Sequence, residues 1–299
     1  MPDPTLAELA DRLDASPDFS VLRRFDPPAS YGAPSGGEQL RTAVALDVET
    51  TGMDRHADAI IQLSMVPFTY DAESGRIFDV ARTLSYFEDP GRPIPPEIVE
   101  LTGITDADVA GQRIDEAAVR ALLEPASLVI AHNAEFDRPF AERRLADFRA
   151  KAWACSLRDV RWRHQGLSSA SLEYLLMKRC RCFYGAHRAD QDALAVVHLL
   201  ATPLDDGTLP MALLLASARR GTVRIWAEGA PIEAKDLLKA RHYRWNPGTD
   251  GRPKAWYREL AAAEQAAELD WLSAHVYGGA RPKLRVDALD ARQRYSLRG

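Results

Sequence analysis

Two carboxylates, Asp47 and Glu49, stand one residue apart at the end of the apolar run Ala43-Val44-Ala45-Leu46, and Thr50-Thr51-Gly52 follows at once. Strand side chains alternate between faces, so the two acids point the same way, about 7 Å apart along the strand. Acids held that close repel each other unless a cation or a shared proton lies between them. Oxygen ligands on a rigid strand suit a hard divalent ion such as Mg²⁺ or Mn²⁺. An isolated pair of this kind also describes a solvated strand end, so its meaning depends on the residues that accompany it.

Three further residues qualify. Asp137 follows the apolar run Leu128-Val129-Ile130-Ala131 and falls in the first turn of the next helix, where the helix dipole also favours an acid. His187 and Asp192 are five residues apart, which on one helix sets them roughly 140° from each other. They converge only if His187 lies in the loop ahead of the helix, and Gly185 supplies a break there. Asp192 leads the apolar stripe Val196 and Leu199, while Asp190 leads Leu194 and Val197 in the same manner. Periodicity does not choose between the two aspartates.

The elements that must position these groups read as follows. Leu6 to Leu13 is an amphipathic helix, and residues 26–37, rich in Pro, Gly and Ser, form no regular element. Strands are expected at Ala43 to Asp47, Ile60 to Tyr70 and, after a Ser74-Gly75 turn, Arg76 to Leu84. Gln62 to Phe68 superficially resembles a sliding-clamp-binding peptide, but it is embedded in an apolar strand pattern and reads as sheet. Short helices at Pro95 to Leu101 and Asp115 to Leu123 precede the strand Leu128 to Ala131. A helix to about Phe148, a strand at Trp153 to Ser156 and helices at Ser171 to Lys178 and Asp190 to Ala201 follow. Strands first and βα alternation later imply an α/β fold, a mixed sheet with helices on its faces. Beyond a boundary at Arg219-Arg220-Gly221 come a strand at Val223 to Ala227 and a helix at Glu233 to Ala240. A hairpin then joins residues 243–245 to 254–258, and a helix spans Leu260 to His275, so the C-terminal module is a small α+β unit. The domain division is an N-terminal extension at 1–40, a catalytic domain at 41–220 and an accessory domain at 221–299.

At 299 residues, with 46% apolar and 27% charged residues, the chain can bury a full core. No apolar run approaches the roughly 18 residues needed to span a bilayer. The N-terminus has an acid and no basic stretch, so no secretory signal is visible. Cys155, Cys180 and Cys182 form no disulfide framework, which fits a reducing compartment and a cytoplasmic location. The formal charge of -5 is unevenly spread: residues 221–299 carry 14 basic and 10 acidic side chains, leaving the acidic excess in the first 220.

The segments Asp47-Val48-Glu49-Thr50-Thr51-Gly52, His132-Asn133-Ala134-Glu135-Phe136-Asp137 and His187-Arg188-Ala189-Asp190-Gln191-Asp192-Ala193 resemble the three exonuclease motifs of the DEDDh 3'-5' exonucleases. That family includes the proofreading subunit epsilon of bacterial DNA polymerase III, RNase T and oligoribonuclease. The resemblance covers roughly Thr42 to Thr202 and implies an RNase H-like fold. By it, Asp47, Glu49, Asp137 and Asp192 hold two divalent cations, Mg²⁺ or Mn²⁺, and His187 is the general base. Asp47 bridges the ions, Glu49 and Asp192 complete one site, and Asp137 serves the other. Gln191 stands where many members carry another acid, a departure that leaves the ligands intact. Thr50, Thr51, Gly52 and Met53 are then set beside the terminal nucleotide, with Met53 as a wedge between bases. Leu101, Thr102 and Ile104 resemble a second wall of that pocket. Phe136 reads as core, although members of the family set an aromatic here near the floor of the site.

The implied activity is removal of nucleoside 5'-monophosphates from the 3' end of single-stranded nucleic acid, DNA ahead of RNA. RNA trimming and a non-catalytic nucleic-acid scaffold are the alternatives. Replication or repair proteins are the implied partners, no membrane is involved, and the oligomeric state stays open. The stretch 233–258 interleaves bases and rings and weakly resembles the helix-hairpin module of HepA-related helicase accessory domains. Lys235, Lys239, Arg241, Arg244 and Arg258 are its candidate phosphate contacts, while Tyr243, Trp245, Trp256 and Tyr257 read mostly as a small core.

Overall fold

The computed structural model describes residues 5–185, 187–249 and 251–297. The chain divides into two compact units, Met1–Leu215 and Ala216–Gly299.

The first unit is built around one long central strand. Helix α1 (Leu6–Asp14) opens the chain with a capping box in which Thr5 and Glu8 satisfy each other's N–H groups. A two-residue strand β1 (Arg23–Arg24) follows, then β2 (Leu40–Thr50) and β3 (Ile60–Asp71), paired antiparallel along almost their full length. β2 is longer than its apolar run suggests, because antiparallel pairing carries polar residues such as Arg41 and Thr42 into the ladder, whereas β3 gains only Asp71. β3 is buried from Ile60 to Phe68, so Gln62 to Phe68 is an interior strand.

The third expected strand is two. β4 (Ile77–Val80) and β5 (Leu84–Phe87) both pair with β3, one opposite Phe68 and Tyr70 and the other opposite Gln62 to Met65. Helices α2 (Pro96–Thr102), α3 (Asp106–Val109) and α4 (Glu116–Leu123) come next. Gly103 ends α2 at φ 71, a left-handed conformation that glycine adopts without strain.

β6 (Ala126–Ala131) enters the sheet parallel to β2, α5 (Ala134–Arg144) packs back over it, and β7 (Trp153–Cys155) adds parallel to β6. The sheet order is β4-β3-β2-β6-β7, with β5 on β3, a mixed sheet carrying helices. Where Ser171 to Lys178 reads as one helix, there is a single α turn, α6 (Leu172–Leu175), continued by a wider π turn to Cys180. β8 (Cys182–Phe183) pairs with β1, and α7 (Ala189–Ala201) packs across β2 and β3. Helix α8 (Pro210–Arg219), which hydrophobic pattern alone did not reveal, contains the division between the units.

The second unit is a four-stranded antiparallel sheet. Its strands are β9 (Thr222–Ala227), β10 (Arg244–Asn246), β11 (Ala255–Ala261) and β12 (Val286–Leu289), in the order β10-β11-β9-β12. The expected hairpin is β10 paired with β11. Helices α9 (Lys235–Ala240) and α10 (Gln265–His275) complete the unit. α10 starts later than periodicity suggests, because Leu260 and Ala261 extend β11 against β9. Val223, Ile225, Leu238, Tyr243, Leu260 and Leu272 form the core. Tyr243 is therefore interior and Trp256 packs against the core, whereas Trp245 is about half exposed.

Candidate active site

The central strand delivers the first two acids. β2 and β6 run parallel, and a ligand site in such a sheet lies beyond the C-terminal ends of its parallel strands. Asp47 and Glu49 sit at that end of β2. The pairing of β2 with β3 slips between Glu49 and Thr50, an irregularity that ends the ladder beside the acids. Asn133, left-handed at φ 85, turns the chain from β6 into α5 and so brings Asp137 to the same place. Asn tolerates that conformation, the one local signal at this corner.

Asp192 comes from a third element, the first turn of α7. Its Oδ2 accepts from the Arg188 N–H at 3.0 Å and its Oδ1 from the Tyr184 hydroxyl at 2.5 Å, so both oxygens are fixed. Asp190 instead faces Arg188, with N to O at 3.7 Å. Tertiary packing thus chooses between the two aspartates that periodicity left open. His187 lies ahead of α7, with a left-handed φ of 65, which lets it face the cleft that Asp192 also faces.

Carboxylate oxygens of Asp47, Glu49 and Asp192 lie within 4.8 Å of one another, a group able to hold a metal ion. Asp137 borders the same cleft and accepts the Val48 N–H at 3.2 Å, a bond from the backbone between the other two acids. Among the described residues no ion pair reaches any of the four. Burial, together with the charges of Asp137, Asp192 and Glu49, holds the Asp47 carboxyl well above the carboxylate range. Burial and the Asp192 charge push Glu49 up to about 7, against the pull of Arg188. Asp137 and Asp192 are raised as well, burial outweighing their N–H and hydroxyl donors. The donor set is oxygen only, mutually repelling and desolvated, which fits hard divalent cations.

The cleft has a volume of about 280 Å³. Besides the acids and His187 it is lined by Thr50, Gly52, Met53, Leu101, Thr102 and Phe136. Met53 and Leu101 are exposed large apolar side chains, at 77% and 50%. Phe136 is half-buried, its ring 5.0 Å from Phe140. Two expected members are absent from this lining. Thr51 is buried and binds Asp58, with its hydroxyl 2.7 Å from Arg92. Ile104 is buried with Ile61, Ile94 and Val109, since the chain has turned inward after Gly103. Both act behind the wall of the cleft.

Residue patterning missed Tyr184, because a single phenol three residues before His187 has no periodic signature. His132 is part-buried between Ser156 and the Ala170 carbonyl, each at 2.8 Å, and burial lowers it to about 4. It is a neutral structural partner at the edge of the cleft.

Residues 44–200 match a family model described as exonuclease. The chain belongs to the exonuclease family. Membership makes it a nuclease, a hydrolase of nucleic acid. The epsilon subunit of DNA polymerase III from Aquifex aeolicus is 31% identical over 171 residues, 55% of this chain and 81% of that subunit. A PolC-type DNA polymerase III from Listeria welshimeri is 35% identical over 115 residues, 38% of this chain and 8% of that polymerase. The chain thus spans only a small part of this polymerase. Among solved structures, Exonuclease X in complex with 5' overhanging duplex DNA superposes with a TM-score of 0.39 at 22% identity, over 57% of this chain and 99% of that one. An E. coli ExoI–ssDNA complex gives 0.49 at 16% identity, over 74% and 63%. The exonuclease match ends before the second unit, so the accessory reading of residues 221–299 lies outside it.

Of the five cations expected on that accessory face, Lys235, Lys239 and Arg244 are exposed. Arg241 and Arg258 close on Glu268 at 2.9 and 2.8 Å. Among the described residues no helix is long and apolar enough to cross a membrane.

Proposed function

We propose that the chain is a divalent-cation-dependent 3'-5' exonuclease acting on single-stranded nucleic acid, DNA in preference to RNA, and releasing nucleoside 5'-monophosphates. The observation that carries this reading is the convergence of Asp47, Glu49 and Asp192 within 4.8 Å, with Asp137 and His187 on the same cleft. Asp47, Glu49 and Asp192 would hold one divalent cation, Mg²⁺ or Mn²⁺, and Asp137 would serve a second. Such cations, when bound, would supply a lowered pKa for water and charge neutralisation at the phosphate.

The chain's own residues do the rest. His187, exposed at the cleft, takes a proton from the attacking water as the water oxygen bonds to phosphorus. The bond from phosphorus to the 3'-oxygen of the penultimate nucleotide breaks, and that oxygen leaves on the shortened strand. Met53 and Leu101 offer apolar surface to the last base, and Phe136 a ring at the floor. The cleft excludes water along its apolar wall and keeps Asp192 oriented through Tyr184 and the Arg188 N–H.

We assign catalysis to residues 41–220 and an accessory strand-holding role to 221–299, carried by its exposed cations, Lys235 and Lys239 first, with Arg244 beside them. The test is digestion of matched 5'-labelled single-stranded DNA and RNA with Mg²⁺ or Mn²⁺, beside Asp47→Ala and His187→Ala. A ladder shortening from the 3' end, abolished by EDTA and in Asp47→Ala, is the expected result, with DNA consumed faster. Faster loss of RNA turns the substrate assignment to RNA trimming. Tight binding without cleavage of either polymer overturns the proposal in favour of a scaffold.

A further inference from the structure

The residues ahead of the family match are woven into the element that carries Tyr184 and His187. β1 pairs in parallel with β8, Arg23 opposite Cys182 and Arg24 opposite Phe183. The ladder is continued by Arg23 N–H to the Arg181 carbonyl at 3.0 Å and Phe25 N–H to the Phe183 carbonyl at 2.8 Å. The Arg181 guanidinium reaches back to Asp14 and Ser20. These bonds tie the N-terminal segment to a strand that immediately precedes Tyr184.

The same segment also grips α7. Phe25 is 8% exposed, its ring 5.7 Å from Tyr184 and 5.6 Å from His198. Tyr31 donates to or accepts from His198 Nδ1 at 2.8 Å. His198 and Asp192 are both on α7, so Phe25 packs against Tyr184 and against the helix that carries Tyr184's hydrogen-bond partner. That bond and the Arg188 N–H together orient the Asp192 carboxylate. A hydrogen-bond partner that orients a metal ligand typically controls affinity or rate by about 10- to 100-fold.

We infer that residues 23–31 are a built-in brace for the active site, with Phe25 and Tyr184 as positioning residues that set Asp192 against Asp47 and Glu49. The inference rests on the reading of Asp192 as a cation ligand. A catalytic core trimmed to the family match loses the brace while keeping every ligand.

The test uses the full chain with Tyr184→Phe, Phe25→Ala, the double variant, and Arg181→Gln, which removes a surface tie and spares the core. Mn²⁺ affinity is read by titration with Asp47→Ala as the site-null control, and kcat and KM on a labelled oligonucleotide. Tyr184→Phe weakens Mn²⁺ binding by about tenfold, and Phe25→Ala by about threefold, with KM unchanged. The double variant binds no worse than Tyr184→Phe alone, because both act through one bond. Amide exchange of the peptide 182–192 accelerates in Phe25→Ala and in Arg181→Gln, a readout independent of metal and of activity. Multiplying effects in the double variant, or unchanged exchange and Mn²⁺ affinity in Phe25→Ala, overturn the brace. A wild-type chain that fails to cleave any substrate while the exchange and coupling results hold sinks the exonuclease proposal and leaves the brace.

Discussion

Two sets of buried and part-buried carboxylates, Glu268 in the second unit and the four acids of the cleft, meet the cost of desolvation in opposite ways. In the second unit, Glu268 accepts from Arg241 at 2.9 and 3.1 Å, Arg258 at 2.8 Å and the Tyr243 hydroxyl at 3.0 Å. Burial alone raises its carboxyl, but those donors and the two guanidinium charges hold it below the ordinary range. At the cleft, Asp47, Glu49, Asp137 and Asp192 have no such cation among the described residues, and all four are raised. An acid neutralised by its own chain is finished structure. Acids left to repel one another are stable only with something supplied from outside, and that is what marks a site.

The contrast is broken most severely by neutralising one acid in each place. Glu268→Gln leaves two part-buried guanidinium groups short of a charged partner and costs about 1 to 2 kcal/mol in denaturant unfolding, less than a fully buried pair because both cations reach solvent. Asp47→Asn in EDTA does the reverse, stabilising the protein by about 1 kcal/mol because a repelling charge is gone. Equal destabilisation by both would dissolve the distinction.

A smaller effect is the pH dependence. Glu49, pushed from an ordinary 4.5 up to about 7, binds protons more tightly folded than unfolded. Its contribution to metal-free stability is full below 4.5 and is lost as pH rises through 7. Cations compete with those protons, so the melting-temperature gain from Mg²⁺ grows between pH 5 and 8, by about 1.4 kcal/mol per proton and pH unit displaced. Glu268 has the opposite sign, its contribution lost as pH falls through its lowered value. Melts with and without Mg²⁺ at several pH values check both, and Asp47→Asn should flatten the first slope.

The smallest effect concerns the exposed lysines of the second unit. Lys235→Ala with Lys239→Ala reduces the salt slope of oligonucleotide affinity by about 0.7 per lost phosphate contact. Arg258→Ala changes unfolding more than binding, since its charge belongs to Glu268.

Much of this was legible along the chain. The Asp47-x-Glu49 strand end, the helix stopping at Gly103, the helix bearing Asp137 and the loop position of His187 are set by local rules: strand alternation, left-handed glycine, and the break at Gly185. Resemblance to the DEDDh motifs then supplied Asp192. What local pattern left undecided was how those elements are covered. The third strand split because β3 needs a partner at both ends, and a lone run of apolar residues does not say where pairing lapses. Thr51 and Ile104 left the cleft wall for the interior because Asp58, Arg92 and the Ile61 cluster claim them.

Sequence by itself determined which residues can bind a cation and on which strand and helix each stands, because those properties repeat within a few residues of chain. Periodicity left Asp190 and Asp192 open, and only the family resemblance pointed to Asp192. Tertiary structure alone revealed that Asp192 converges with Asp47 and Glu49, that the Tyr184 hydroxyl donates to it, and that Phe25 packs on that tyrosine. The physical reason is distance along the chain. The Arg181–Asp14 and Tyr31–His198 contacts each join residues 167 positions apart, and no periodicity of 2 or 3.6 residues encodes a pairing of that range.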